Sequence, residues 1–415
     1  MIHRNLQSLI ETALEDTPAI FLRGARQTGK STLLKTIIAE GHPARYFSFD
    51  DLTTLHAARS DPQGFVTGLP HYVALDEVQR VPEILLPIKA AIDNDRANAH
   101  GRFLLTGSAN ILHLPTVADS LAGRMEVMTL YGLSASEIAP RSRTMPWLEA
   151  AFSANITALM PAEPLVDDIS LEERLCRGGF PEVFDRKTAS RRSAWFDSYM
   201  TTMLERDARD LTRIDAVQHL QQVVSLAAAR TASIVNFSEI SRSLQLPLTS
   251  LKRYMNIVEM LYFTTELPAW SANFSKRLVK SPKLHITDTG LAAYLLGANP
   301  ARLRADRKLF GQILETFVVM ELKKHCSWFD EPLRMFHLHA QNGLEIDILL
   351  ENMRGELVAI EVKSGATVSA NDAKPLKTFA SLQNAKLQAG IMLYTGDSIV
   401  PLGENVWAVP ISSLL

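Results

Sequence analysis

The residues equipped for chemistry begin with Gly24-Ala25-Arg26-Gln27-Thr28-Gly29-Lys30-Ser31, which fits the phosphate-binding pattern G-x-x-x-x-G-K-[ST]. Glycines let the backbone wrap closely around phosphates, so that successive N–H groups and a helix N-terminus face the negative charge. Lys30 would reach the β- and γ-phosphates of a nucleoside triphosphate, and Ser31 would hold Mg2+, with Thr32 completing the cradle. A second polar pair, Asp76 and Glu77, closes an apolar run that includes Val73, Ala74 and Leu75. Asp76 would act on the Mg2+ shell, and Glu77 would polarise the attacking water. Taken alone, Asp-Glu also suits a helix cap or a solvated loop; beside residues 24–31 the hydrolytic reading is favoured.

These groups need a sheet to hold them. The phosphate loop stands between an apolar run at residues 19–22 and a helical stretch at 32–38. The run ending in Asp76 and Glu77 reads as a buried parallel strand that carries its carboxylates to the C-terminal edge, next to that loop. Residues 45–51 form an aromatic-rich alternating strand, residues 102–106 another, and residues 125–130 a further one.

With 415 residues and 47% hydrophobic content, the chain exceeds one ordinary core and divides into about two to four domains. Cys176 and Cys326 stand far apart without metal-like spacing, which excludes a disulfide framework and a cysteine-based zinc site and fits a reducing compartment. The N-terminus does not lead into a secretory segment, and no run of about 18 uncharged apolar residues occurs, so the expectation is a soluble, cytoplasmic protein without a membrane. A net charge of −2 argues against a surface wrapped throughout in nucleic acid; such a contact would have to be a local patch.

The strand at 102–106 runs into Gly107, Ser108, Ala109 and Asn110, and there the N-terminal domain resembles the AAA+ ATPase superfamily. The resemblance implies a small polar residue at this strand end that senses the γ-phosphate, with Ser108 the candidate, Thr106 and Asn110 its neighbours, and a plain polar turn the alternative. It also implies an arginine, Arg124, reaching into a neighbouring subunit's nucleotide, a role worth about 10³–10⁵ in rate in other triphosphatases. An arginine paired with a surface carboxylate is the other reading of Arg124, and Arg26 is open between γ-phosphate contact and surface. Together with Arg177-Gly178-Gly179-Phe180-Pro181-Glu182 and Asp288-Thr289-Gly290-Leu291, these motifs resemble, over nearly the whole chain, the prokaryotic AAA+ ATPases that end in a nuclease-like domain of unknown function.

Residues 141–164 lose strand character and read as a linker or lid, followed by packed helices across 195–229. Asn236, with Glu239 three residues on, opens a short helix; Leu246-Pro247 turns the chain into a second, amphipathic helix at 249–261. This is a helix-turn-helix, and a strand pair at 262–267 and 284–287 makes it a winged helix. Lys252 and Arg253 on its second helix, and Lys276, Arg277, Lys280 and Lys283 in the wing, are the candidate DNA contacts; winged helices that bind only protein are the alternative.

In the last hundred residues, Glu315 on a helix, Asp347 on one strand, and Glu361 and Lys363 on the next follow an order that resembles the PD-(D/E)xK nuclease superfamily. Glu361 and Lys363 share a face because strand side chains alternate. Under that resemblance Asp347 and Glu361 bind Mg2+ through hard oxygen ligands, and Lys363 orients the water and offsets transition-state charge. An edge salt bridge between Glu361 and Lys363, or a charged pocket that does not cut, are the competing readings.

The expectation is therefore an α/β chain. A P-loop AAA+ parallel-sheet domain spans 1–145, a helical lid or linker 146–230, a winged helix 231–300, and a PD-(D/E)xK nuclease-like domain 301–415. It would use ATP and Mg2+ and act on DNA as a homo-oligomer, with a hexameric ring one such form. The favoured activity is a translocase or helicase-like motor on branched or forked DNA. An ATP-dependent switch for protein partners and an ATP-controlled endonuclease are the rivals.

Overall fold

The computed structural model describes residues 2–107, 123–161, 169–207, 217–271, 273, 277, 280–340, 343–382 and 386–415. It contains two compact units, residues 1–133 with 260–262, and residues 134–259 with 263–415.

In the first unit, five strands, β1 (Ala19–Arg23), β2 (Arg45–Ser48), β3 (Val73–Asp76), β4 (Phe103–Gly107) and β5 (Met125–Thr129), form a parallel sheet in the order β2-β3-β4-β1-β5. β3 and β4 are buried along their whole length and β1 nearly so, which is why they read as continuous apolar runs rather than as alternation. The helix Lys30–Ala39 follows β1 and buries Leu33, Leu34 and Ile37. Because β3 and β4 run in register, with Leu75 opposite Leu105, the residues that follow, Asp76 and Thr106, emerge side by side at the C-terminal edge. β4 lies between β3 and β1, so groups from three strands and the loop after β1 converge on one crevice.

The second unit holds two further sheets. β6 (Ser233–Ile234), β7 (Thr264–Leu267) and β8 (Lys283–Ile286) are antiparallel in the order β6-β8-β7. The helices Phe237–Leu244 and Leu248–Met260 fall between β6 and β7. Asn236 caps the first of them by accepting the Glu239 N–H at 3.2 Å, while the Glu239 carboxylate turns to Arg230 at 2.6 Å.

β9 (Arg334–His339), β10 (Glu345–Glu351), β11 (Leu357–Lys363), β12 (Leu387–Tyr394), β13 (Val400–Gly403) and β14 (Val406–Pro410) form the remaining sheet, ordered β13-β14-β12-β11-β10-β9. Its β9, β10 and β11 are antiparallel, and β11, β12 and β14 are parallel. Alternation on β11 sends Val358 and Ile360 into a core with Ile313, Leu314 and Val318 of the helix Arg307–Ser327; Leu357 and Ala359 enter a second core with Leu376 and Phe379. Trp147, Leu148, Ala151 and Leu159, from the stretch read as linker or lid, join the first of these cores, and the Trp147 indole donates to Ser413 Oγ at 3.2 Å.

The motifs at 177–182 and 288–291 meet in space. Asp288 Oδ2 accepts the Gly179 N–H at 2.7 Å, and Oδ1 accepts the Leu291 N–H at 2.9 Å as N-cap of the helix Thr289–Leu295. A Cβ on Gly178, where φ is +73°, would lie 2.2 Å from Asp288 Oδ1, and one on Gly290 would lie 2.5 Å from the Arg177 carbonyl oxygen. Both glycines are therefore requirements of a clasp rather than parts of a reactive site. Gly178→Ala is expected to cost about 1–3 kcal/mol through backbone strain, before the carboxylate clash is counted. A thermal unfolding midpoint equal to wild type would show that the clasp does not constrain the chain.

Candidate functional site

The loop after β1 has the shape its sequence demands. Gly24 adopts φ +152°, and a Cβ there would lie 2.2 Å from the Leu130 carbonyl oxygen, so only glycine fits. Gly29, at φ +96°, turns the chain into the helix Lys30–Ala39, whose N-terminus faces the loop. Lys30 is buried, and its ammonium donates to the Gly24 and Ala25 carbonyls at 2.9 and 2.8 Å. Thr28 is buried too, its hydroxyl donating to the Ala25 carbonyl at 2.9 Å. Gln27 is exposed, Arg26 is half-buried, and Thr32 is exposed in the first helical turn.

Asp76 is the hub of the crevice. Its Oδ1 accepts the Ser31 hydroxyl at 3.0 Å and, in a closer contact, the Thr106 hydroxyl; its Oδ2 accepts the Tyr46 phenol at 2.6 Å. Burial, reinforced by the hydrogen bond to Asp76, raises the Tyr46 pKa, so this phenol remains a donor. The Glu77 N–H donates to Thr106 Oγ1 at 3.1 Å, and the Glu77 carboxylate accepts from the Gln79 amide. Glu77 itself sits in the left-handed region, φ 61° and ψ 44°, which aims its side chain differently from a residue continuing β3.

The phosphate loop, Ser31, Asp76 and Glu77 thus come together from separate stretches of chain. Thr106, weighed as a neighbour of Ser108, is the residue at the end of β4 that touches both acidic residues; Ser108 and Asn110 lie outside the described residues. Tyr46 and Arg4 are new. Arg4 donates to the Thr28 carbonyl and to the Tyr131 carbonyl, both at 2.7 Å, and so ties the phosphate loop to the segment that follows β5. The only sequence signal for Tyr46 is its place on a strand that turns out to neighbour β3, and Arg4, 24 and 127 residues from its partners, gives none.

Arg124 forms a bidentate pair with Asp93 of the same chain, Nε to Oδ1 at 2.6 Å and Nη2 to Oδ2 at 3.0 Å. The surface-pair reading of this arginine is thereby realised in the single chain.

The second cluster gathers around an unexpected member. Lys283, expected in a DNA-binding wing, is 3% exposed; its ammonium lies 3.0 Å from Glu315 Oε1, 3.0 Å from Asp347 Oδ1 and 3.5 Å from Glu345 Oε1. That expectation is corrected: the residue is consumed by an internal ion pair. Arg277 is corrected likewise, since its guanidinium is bidentate to Glu351 at 2.6 and 2.8 Å, with a side chain only 11% exposed. Lys280 is half-buried with its ammonium 3.4 Å from the His339 carbonyl oxygen, Lys276 lies outside the described residues, and Lys252 and Arg253 are exposed.

Glu361 is buried with Lys363 Nζ 4.0 Å away, and Lys363 is equally far from Asp372. Burial, then the Asp347 charge, pushes the Glu361 carboxyl well above the usual range, and the same two causes push Glu315 up to about 8. For Lys283, burial acts to lower the pKa, but the charges of Asp347 and Glu315 together prevail and raise it. Glu315, Asp347, Glu361 and Lys363 are therefore brought into one neighbourhood, as the sequence implied, with a lysine among the acids that it did not.

Comparison with known proteins adds a family to the first site. Residues 16–139 match the model of the AAA domain. Residues 16–139 are an AAA domain of the P-loop class. Beyond the AAA domain, residues 168–302 and 310–414 match two models, each described as a domain of unknown function (DUF8612 and DUF4143). Over its full length the chain is similar to uncharacterized proteins of Mycobacterium bovis and Mycobacterium tuberculosis, each 29% identical over 415 residues that cover 99% of this chain and 84% of the relative. Among solved structures it is similar to the Walker-type ATPase of Pyrococcus abyssi (14% identity, TM-score 0.43, covering 71% of this chain and 96% of that one) and to Thermotoga maritima RuvB (16% identity, TM-score 0.29, covering 64% and 90%). Among the described residues, no helix of the structure is long and apolar enough to cross a membrane.

Proposed function

We propose that the AAA domain hydrolyses ATP with Mg2+ and that the cycle is directed at DNA by a homo-oligomer of this chain. One observation carries the hydrolytic part: Asp76 holds Ser31 and Thr106 at once, with Glu77 adjoining, so the metal-shell carboxylate and the water-polarising carboxylate share a support at the edge of the phosphate loop. The phosphate loop and Lys30 bind the triphosphate, Ser31 and Asp76 serve the Mg2+ shell, and Glu77 takes the proton of the attacking water. Mg2+, held by Ser31 and Asp76, would supply positive charge that offsets the charge of the phosphates.

Support for DNA comes from element order. A helix, β6, two helices and the β7-β8 pair, with β8 central, is the order of a winged helix, and Lys252 and Arg253 are exposed on its second helix. A homo-oligomer is part of the proposal; Arg124 contributes to it only by leaving Asp93. The burial of Lys283 and the pairing of Arg277 thin the basic wing, and this favours a second reading in which the same ATP cycle switches the binding of protein partners.

Steady-state ATP hydrolysis without DNA, and with single strands, duplex and a four-way junction, separates the two. Stimulation by one DNA form, lost in Lys30→Ala and Glu77→Gln, is the expected result. Equal turnover under all four conditions would remove DNA from the proposal and leave the switch.

A further inference from the structure

The carboxylates of Glu315, Asp347 and Glu361 have the chemistry of a divalent-cation site, and the PD-(D/E)xK resemblance assigns Mg2+ to Asp347 and Glu361. The structure does not fit that metal. Mg2+ requires near-octahedral oxygen ligands at about 2.0–2.1 Å and retains several waters. Here the place where the Glu315 and Asp347 carboxylates converge is taken by the Lys283 ammonium, 3.0 Å from each, with Glu345 a further 0.5 Å away at 3.5 Å. The second oxygen of Asp347 is also committed, accepting the Val362 N–H at 3.0 Å. Glu361 Oε1 is buried without a hydrogen-bond partner, and Oε2 lies 4.0 Å from Lys363 Nζ. Among the described residues, no group of three or more His, Cys, Asp or Glu side chains is arranged to hold a metal ion.

Lys283 is not a surface side chain that has folded inward. It lies on β8, the central strand of its sheet, opposite Ile234 of β6 and Leu267 of β7, so its backbone is held from both edges. Its neighbour on the same face, His285, is fully buried and reaches Thr316 Oγ1 at 3.3 Å, and Thr316 is shared with Thr231 at 2.8 Å. Glu315 and Thr316 are successive residues of the helix Arg307–Ser327, so a continuous polar seam joins that helix to β8. The ammonium is buried and shared among three carboxylates, so a metal entering here would have to displace it from all of them.

We infer that the Lys283 ammonium is the resident cation of this carboxylate cluster, that the cluster takes no divalent metal, and that it fastens the three-stranded sheet to the six-stranded sheet instead of cutting phosphodiesters. The inference is independent of the reading of the AAA domain, and it is tested without nucleotide.

The test is Mn2+ binding to the full chain, measured by isothermal titration, in wild type, Asp347→Asn, Lys283→Ala and the double variant. Nicking of supercoiled plasmid in Mg2+ is measured beside it for wild type and Glu361→Ala. Wild type and Asp347→Asn are expected to take up Mn2+ alike, and Mg2+ is expected to produce no nicking that Glu361→Ala removes. Lys283→Ala is expected to gain one Mn2+ per chain, lost again in the double variant. Mn2+ uptake in wild type that Asp347→Asn abolishes, or nicking that Glu361→Ala abolishes, would overturn the inference. So would a folded Lys283→Ala that gains no site. If Lys283→Ala does not fold, the comparison of wild type with Asp347→Asn and the nicking assay decide the matter without it.

Discussion

Glu77→Gln is expected to leave ATP bound and to lower its turnover by about 10²–10⁴-fold, the range of a lost general base. The two halves of this expectation have separate structural sources. Binding rests on the loop after β1, on Lys30 and on the helix N-terminus, whereas Glu77 directs its backbone N–H to Thr106 and its carboxylate to Gln79. Glutamine matches glutamate in length and can still accept from Gln79 through its carbonyl, so the local backbone has no reason to move. What it cannot do is take a proton from water. Phosphate release under saturating ATP reads the turnover, and displacement of a fluorescent nucleotide reads the affinity. A variant turning over within fivefold of wild type would remove Glu77 from the role of base. A variant that also failed to bind would show that the change had disturbed the crevice as a whole, and would leave the base unassigned.

The part of this site that was legible in the sequence is the part built by consecutive residues. A phosphate loop is eight adjacent positions, and its glycines are dictated by backbone geometry, most plainly at Gly24, where the Leu130 carbonyl leaves no room for a Cβ. Asp76 and Glu77 were legible because a buried parallel strand is an unbroken apolar run, and the polar residues that end it mark its C-terminal edge. Thr106, Tyr46 and Arg4 depend on which strands become neighbours. Nothing local distinguishes Tyr46 from any other aromatic residue on a strand until β2 is placed beside β3.

The burial of Lys283 and the pairing of Arg277 were not legible for a related reason. Lys276, Arg277, Lys280 and Lys283 are dense in sequence, and density averages over side chains that point in opposite directions. β8 is buried on both faces, so alternation could not sort Lys283 into the interior. A signal was nevertheless present: three carboxylates assigned to one buried pocket demand a cation, and unpaired burial of such charge is costly. The sequence contained an acidic pocket and an apparent excess of basic residues, and the two belong to the same construction.

Removing the cation should therefore be expensive. Lys283→Met is expected to lower the stability of the second unit by about 3–5 kcal/mol, the cost of leaving buried carboxylates without their partner. Lost packing is a small part of this, because methionine fills much of the lysine stem's volume and its thioether tolerates an apolar setting. The charge origin is tested by neutralising the other side. Glu315→Gln with Asp347→Asn, in the Lys283→Met background, is expected to recover a large share of the loss, since amides in the same positions carry no uncompensated charge and can keep some of the hydrogen bonds. Added to wild type, the same pair of changes should destabilise, because Lys283 then keeps only the half-exposed Glu345 as an ion-pair partner. Urea unfolding followed by tryptophan fluorescence supplies the four corners of this cycle, and their non-additivity is the coupling between β8 and the acidic cluster. Additive losses, or a Lys283→Met variant within about 1 kcal/mol of wild type, would mean that the ammonium and the carboxylates are neighbours without being partners. A strong coupling would instead establish that the acids of this fold are spent on cohesion, which is the reason the residues of a nuclease-like pattern can all be present in a module whose cation is part of its own chain.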